Sequence, residues 1–116
     1  MSAVPILRLG RALVATLRSD LTDSDLLEFE EEILERVGAE SARGVILDLT
    51  ASDVLDSFGA RVLRDIAAGI SLRGARAVVV GIQPEVALAM VTLGLDLEGV
   101  RTALDLERGL ALLERS

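Results

Sequence analysis

Val45-Ile46-Leu47-Asp48-Leu49-Thr50-Ala51-Ser52-Asp53-Val54-Leu55-Asp56-Ser57-Phe58-Gly59-Ala60 is the stretch from which the rest of the chain can be ordered. A nearly continuous apolar run opens it. Such a run, bounded by turn residues, reads as a strand covered on both faces. Aspartates at 48, 53 and 56 mark a tight acidic loop, and Ser57 stands where a helix should begin. Phe58, Val62, Leu63, Ile66 and Ile70 then recur at helical spacing as far as Leu72, and Gly74 supplies a stop. Strand, loop and helix in this order build a parallel sheet when placed in series.

Downstream the series continues. Ala75 to Gly81 reads as another buried strand, Pro84 suits the first position of a helix running to about Leu93, and Gly94 ends it. A short strand near Val100 to Ala103 and a last helix from Asp105 to Glu114 follow. Upstream, Ile6 to Leu9 and Ala12 to Leu17 flank a Gly10-Arg11 turn and read as a hairpin. The N-cap-rich run from Asp20 to Asp25 predicts a helix to about Val37, stopped by Gly38. Leu26, Phe29, Ile33 and Val37 form its buried stripe; Glu28, Glu31, Glu32 and Glu35 form a solvated acidic face. On the helix after Ser57, Arg61 and Asp65 are spaced to pair one turn apart.

The predicted order is ββαβαβαβα. The fold class is α/β: one mixed, mostly parallel sheet of about five strands, with about four helices packed against it and right-handed crossovers. A chain of 116 residues fits a single domain, expected to span 1–116.

Composition narrows the chemistry. At 51% hydrophobic residues, with two Phe and no Trp or Tyr, the core must be aliphatic and offers few platforms for stacking bases. A net charge of -7 with scattered arginines opposes the approach of phosphate backbones, so partners should be proteins and not nucleic acid. The absence of Cys and His removes disulfides, thiolate sites, the commonest general base and the commonest transition-metal ligand. A Ser-His-Asp hydrolase is thereby excluded. No basic-then-apolar leader opens the chain, and no segment reaches about 18 uninterrupted apolar residues, so a cytoplasmic protein without membrane attachment is expected.

At the loop, a hydroxyl on Ser57 would lie near helix amides that lack intrahelical partners, at the end of the helix that favours negative charge. A phosphate there adds roughly -1.5 to -2 charge units. Asp56 and Asp53 repel it, so the surface changes sharply while the fold survives. The plainer use of Asp56 or Ser57 is as an N-cap. Gly59 either permits close approach of a partner or is incidental packing. Asp48, Asp53 and Asp56 also admit a rival, a Mg²⁺-dependent phosphohydrolase. A phosphoryl-transfer site normally also supplies a cationic residue for the phosphoryl oxygens, and the chain has no Gly-x-x-x-x-Gly-Lys-Ser/Thr loop. No enzymatic activity, metal or cofactor is expected.

Asp48-Leu49-Thr50, Asp53 and Asp56-Ser57-x-Gly59 together resemble the signature of the STAS domain of bacterial anti-sigma-factor antagonists, and the resemblance covers nearly the whole chain. Pro5-Ile6-Leu7-Arg8-Leu9, Gly81-Ile82-Gln83-Pro84-Glu85-Val86-Ala87, Leu93-Gly94-Leu95-Asp96-Leu97 and Thr102-Ala103-Leu104-Asp105-Leu106-Glu107-Arg108-Gly109-Leu110, with Phe58 after the serine, look like the RsbS-type scaffold subunits of the stressosome. This resemblance implies a stress-signalling scaffold that assembles with RsbR-type sensor STAS paralogues into a large particle. It also implies that the scaffold sequesters an RsbT-type serine/threonine kinase and releases it on phosphorylation of Ser57. A PP2C-type phosphatase would reset it. Asp53, Asp56, Phe58 and Gly59 would form the partner-binding loop. The chain is expected to lack the sensor domain of its paralogues. Gly59 departs from the bulkier residue of many scaffolds, and a free-standing anti-sigma-factor antagonist binding an anti-sigma kinase is the alternative.

Overall fold

In the computed structural model, which describes residues 3–94 and 100–115, the elements run β1 (Ile6–Leu9), β2 (Ala12–Thr16), α1 (Asp23–Ala39), β3 (Gly44–Asp48), α2 (Ser57–Leu72), β4 (Arg76–Val80), α3 (Pro84–Thr92), β5 (Arg101–Ala103) and α4 (Leu106–Glu114). The strands lie side by side in chain order. β1 and β2 form an antiparallel hairpin, and every later pair is parallel. This is the expected mixed α/β sheet.

The period of two along each strand sorts its side chains between two cores. Leu13, Ala15, Val45, Leu47, Ala77 and Val79 face α1, α2 and α3, where Phe29, Ile33, Val37, Val62, Leu63, Ile66, Ile70, Val86 and Met90 meet them. Val14, Ile46, Val78 and Val80 face the other way, under Leu106, Leu110, Leu112 and Leu113 on and around α4. Each of the three crossover helices carries the chain one strand further in the same direction, so all three fall on one face. α4, which follows the last strand, covers the opposite face. That double cover is why β3 is apolar on both sides.

Local signals mark most boundaries. Thr22 and Asp25 form a capping box at the start of α1, with Asp25 N–H to Thr22 Oγ1 at 3.1 Å and Thr22 N–H to Asp25 Oδ2 at 2.9 Å. Pro84 occupies the first turn of α3 as expected, and Gly74 and Gly94 leave α2 and α3 with φ of 81° and 65°. Gly38 does not act as the stop assigned to it. α1 continues through it to Ala39, Glu40 is the C-cap, and Ser41 takes the left-handed conformation at φ 50°. The return of Ala42 N–H to Val37 O at 3.2 Å fixes that exit, so tertiary placement of the next strand overrides the residue preference. Phe58 and Leu26 are half-buried, at the margin of their stripes. Asp65 meets Arg64 at 4.0 Å, and Arg61, expected to pair with it, has no ion-pair partner among the described residues. Leu95, Asp96 and Leu97 of the family-like motifs lie outside the described residues.

Candidate functional site

Parallel strands place the loops that follow them at one edge of the sheet, and the acidic loop leaves β3 there. Its first turn is closed by Asp48, whose Oδ1 accepts from Thr50 N–H at 2.9 Å and from Thr50 Oγ1 at 2.6 Å. This is the local side-chain-to-backbone turn that an aspartate favours. Ser52 is buried; its hydroxyl donates to Leu17 O at 2.8 Å, fastening the loop to the end of β2. Asp53 and Ser19 bond reciprocally: Ser19 Oγ donates to Asp53 Oδ1 at 2.7 Å and accepts from Asp53 N–H at 2.9 Å. From the far side, Gln83 Nε2 donates to Thr50 O at 2.5 Å. Gly81, at φ 70°, brings the chain after β4 so close that a β-carbon there would overlap the Thr50 hydroxyl and lie 3.0 Å from Thr50 N. Three loops are thus locked together by polar contacts, and the one between β3 and α2 is held from both sides.

At the end of this clamped loop, Asp56 is the N-cap of α2. Its Oδ1 accepts from Gly59 N–H at 2.7 Å. The cap role that sequence left open between Asp56 and Ser57 belongs to Asp56, and Ser57 is the first residue of the helix. Ser57 is exposed, and its hydroxyl has no hydrogen-bond partner among the described residues. Gly59 has an internal reason to be small: a β-carbon there would lie 3.1 Å from Asp56 Oδ1 and 3.3 Å from Leu55 Cδ1. Phe58 and Leu55 pack against the larger core beneath, so the loop has an apolar underside and a polar rim. Val54, two-thirds exposed, projects from its tip.

The structure brings Asp53, Asp56, Ser57, Phe58 and Gly59 together on one continuous segment, with the two carboxylates and the hydroxyl exposed. The three aspartates do not converge. Asp48 turns to Thr50, Asp53 to Ser19 and Asp56 to the Gly59 amide, and among the described residues no three acidic groups are placed to share a metal ion. What sequence reading missed is the set of residues that hold the loop: Ser19, Ser52, Gly81 and Gln83. Their bonds span more than thirty residues in the chain, and no local pattern announces them.

Beside Ser57 lies a shallow cavity of about 230 Å³ lined by Ser57, Ala60, Arg61, Arg64, Leu93 and Gly94. A second, of about 110 Å³, opens on the other side of the loop between α1 and α2, reaching Leu21, Leu26, Val54, Leu55 and Gly59. Both flank the N-terminus of α2. Among the described residues no helix is long and apolar enough to cross a membrane.

Comparison with known proteins agrees with this architecture. The sequence pattern of the STAS domain matches residues 3–108. RsbT co-antagonist proteins RsbRA and RsbRD of Bacillus subtilis (strain 168) are 32% and 31% identical over 80 and 81 residues, or 69% and 70% of this chain. The aligned region is 29% of each of those proteins, so the chain spans less than a third of the length of the curated relatives it matches. A serine-to-glutamate variant of Moorella thermoacetica RsbS superposes with a TM-score of 0.89 at 36% identity, over 98% of this chain and 97% of that one. A chain from the stressosome, described as a signal integration and transduction hub, superposes with a TM-score of 0.86 at 37% identity, over 96% of each chain. The unphosphorylated anti-sigma factor antagonist SpoIIAA shares the fold alone, at 13% identity and a TM-score of 0.74 over 98% of this chain and 99% of that one. With its family pattern matched over nearly the whole length, and with close structural likeness to RsbS, the chain belongs to the STAS-domain family.

Proposed function

We propose that this chain is a non-enzymatic stress-signalling scaffold of the RsbS type, a single cytoplasmic STAS domain over residues 1–116. In this reading it assembles with RsbR-type STAS paralogues, holds an RsbT-type serine/threonine kinase, and releases it when Ser57 is phosphorylated. The carrying observation is the position of Ser57: an exposed, unpartnered hydroxyl at the first residue of α2, next to a loop fixed by long-range hydrogen bonds. A kinase needs such a hydroxyl within reach on a segment of defined shape. The Ser57 oxygen takes the γ-phosphoryl group of ATP, the bond from the γ-phosphorus to the bridging oxygen breaks, and ADP leaves while the serine proton passes to the kinase's base. Water and a PP2C-type phosphatase reverse the modification by releasing inorganic phosphate.

The local chemistry suits a switch that alters binding and leaves the fold intact. The first amides of α2 and its dipole favour the added dianion, each such effect amounting to about 0.3–1 kcal/mol at an exposed site. Asp53 and Asp56 oppose it, and a partner seated on Val54, Phe58 and the acidic rim meets a surface two charges more negative. Incubation with an RsbT-type kinase and ATP, followed by mass-spectrometric mapping, tests the site. Phosphate on Ser57 is expected; phosphate elsewhere with Ser57 bare overturns the assignment. Ser57→Ala should keep the kinase bound throughout. Mixing with an RsbR-type paralogue should give a megadalton-scale particle, whereas a complex that stays small points to a free-standing anti-sigma-factor antagonist.

A further inference from the structure

We propose that Arg61 and Arg64 are the receptor for the phosphate on Ser57, so that the phosphorylated loop carries its own counter-cations on one face of α2. This rests on the reading of Ser57 as the modified residue. Positions 57, 61 and 64 stand at i, i+4 and i+7, which places them in one row along a helix of 3.6 residues per turn. All three line the same 230 Å³ cavity, with Ala60 between them and the Leu93–Gly94 end of α3 as the opposite wall. A phosphate on the Ser57 oxygen enters a space that already exists and that Arg61 and Arg64 line.

The second observation is that these two cations are uncommitted. Arg8, Arg18, Arg36 and Arg108 sit in ion pairs of 2.6 to 3.0 Å. Arg61 has no ion pair or hydrogen bond among the described residues, and Arg64 has only the 4.0 Å approach of its neighbour Asp65. Other arginines, Arg11, Arg43 and Arg76 among them, also lack ion pairs among the described residues; what distinguishes Arg61 and Arg64 is that they line the same cavity as Ser57. Two guanidinium groups three residues apart on a helix also repel one another, and an anion between them removes the penalty. Asp56, the carboxylate next to Ser57 in sequence, is turned to the Gly59 amide. The planar guanidinium fork matches phosphate oxygens, whereas an aspartate at 57 is shorter and carries half the charge. A carboxylate at this position should therefore imitate the phosphorylated state poorly.

The test is made on the full chain with phosphoserine installed at position 57 by genetic-code expansion, independently of any kinase. The second ionisation of the phosphate is followed by ³¹P NMR. Among the described residues, Arg61 and Arg64 are the charged groups that line the cavity, Leu93 and Gly94 face them from the chain after α3, and Asp53, Asp56 and Asp65 are the nearest carboxylates along the loop and α2. The folded wild-type chain should titrate about half a pH unit below the same chain in urea. Arg61→Gln/Arg64→Gln should lose that difference with an unchanged thermal midpoint for the unmodified protein, and Arg61→Lys/Arg64→Lys should keep part of it. Identical titrations in wild type and the Gln double variant overturn the proposal. Kinase release is read separately: a phosphorylated chain that still holds its kinase refutes the switch, whatever the ³¹P result.

Discussion

The two edges of the parallel sheet use left-handed glycines for opposite ends. At the edge where β3 and β4 finish, Asp48, Asp53, Ser52, Ser19 and Gln83 bind the loops to one another, and Gly81 lets them touch. At the edge where β2, β3 and β4 begin, Arg11, Arg43 and Arg76 rim an open depression of about 540 Å³, and Gly10 and Gly74 turn the chain with nothing within 4 Å of where a β-carbon would stand. Both edges contain left-handed glycines, but only at Gly81 does the missing side chain make room for a contact. The arginine edge is a set of solvated turns. The acidic edge is a fixed frame around one segment that carries an exposed serine.

The largest expected effect separates those two uses of glycine. Gly74→Ala adds only the left-handed backbone cost of about 1–2 kcal/mol. Gly81→Ala adds that cost and also forces the Thr50 turn away from Gln83, so a loss of about 3 kcal/mol or more is expected in urea denaturation. Equal losses at the two positions would show that the close approach between loops contributes nothing, and the contrast between the edges would fail.

Next in size is Ser52→Ala. The hydroxyl is buried and its bond to Leu17 O joins the loop to β2, so its removal should cost about 1–2 kcal/mol. Ser19→Ala breaks an exposed bond and should cost less, about 0.5 kcal/mol. If the frame matters to function, Ser52→Ala should also slow phosphorylation of Ser57 under conditions where the protein remains fully folded. An unchanged rate would restrict the bond to a structural role.

These bonds also mark where sequence reading stopped. The elements themselves were legible, because a double-sided core makes β3 and β4 apolar on both faces and one-sided burial gives α1 and α2 their helical stripes. Serine in the loop was legible as a candidate because Ser57 follows Asp56 at a helix start. The clamps were not: Ser19 with Asp53 and Ser52 with Leu17 depend on β2 and β3 lying parallel in a particular register. The same limit explains Gly38, a plausible stop by residue type that α1 passes through, while Ser41 takes the turn. It also explains Arg61, whose helical spacing to Asp65 predicted a pair, whereas Ser57 and the end of α3 share its cavity.

Asp56→Ala comes third. Losing the bond to Gly59 N–H should destabilise the protein by about 1 kcal/mol, and Asp105→Ala, which removes the equivalent cap of α4 on the other face, by a similar amount. The two variants should part company in function. Only Asp56 defines where α2 starts, so only its loss should change kinase binding at matched stability. Asp56→Asn, which keeps an acceptor oxygen while removing charge, distinguishes the cap from the repulsion that the carboxylate exerts on a phosphate at 57.

The smallest effects are electrostatic and have opposite signs at two glutamates of the α1 segment. Glu40, at the arginine edge, is bracketed by Arg36 at 2.6 Å and Arg8 at 2.8 Å; these hydrogen bonds hold its carboxyl below the usual value of 4.5. Its folded state binds the proton less readily than its unfolded state. The resulting stability is fully present above about pH 4.5 and is lost as pH falls through the lower folded value. Glu30 is pushed above 4.5 by partial burial first, and then by the negative charges of Asp65 on α2 and Glu31. It therefore opposes folding at neutral pH, and that opposition fades as pH falls through its raised value to below 4.5. Glu40→Gln should lower the urea midpoint at pH 7, and Glu30→Gln should raise it, the latter by about 0.3 kcal/mol in stability. Both differences should shrink toward zero in acid, that of Glu30 first, because its folded carboxyl takes up its proton at the higher pH. A Glu40 variant with no effect at pH 7 would reduce the ordered part of the arginine edge to solvated side chains, and the difference between the two edges would then rest on the loop frame alone.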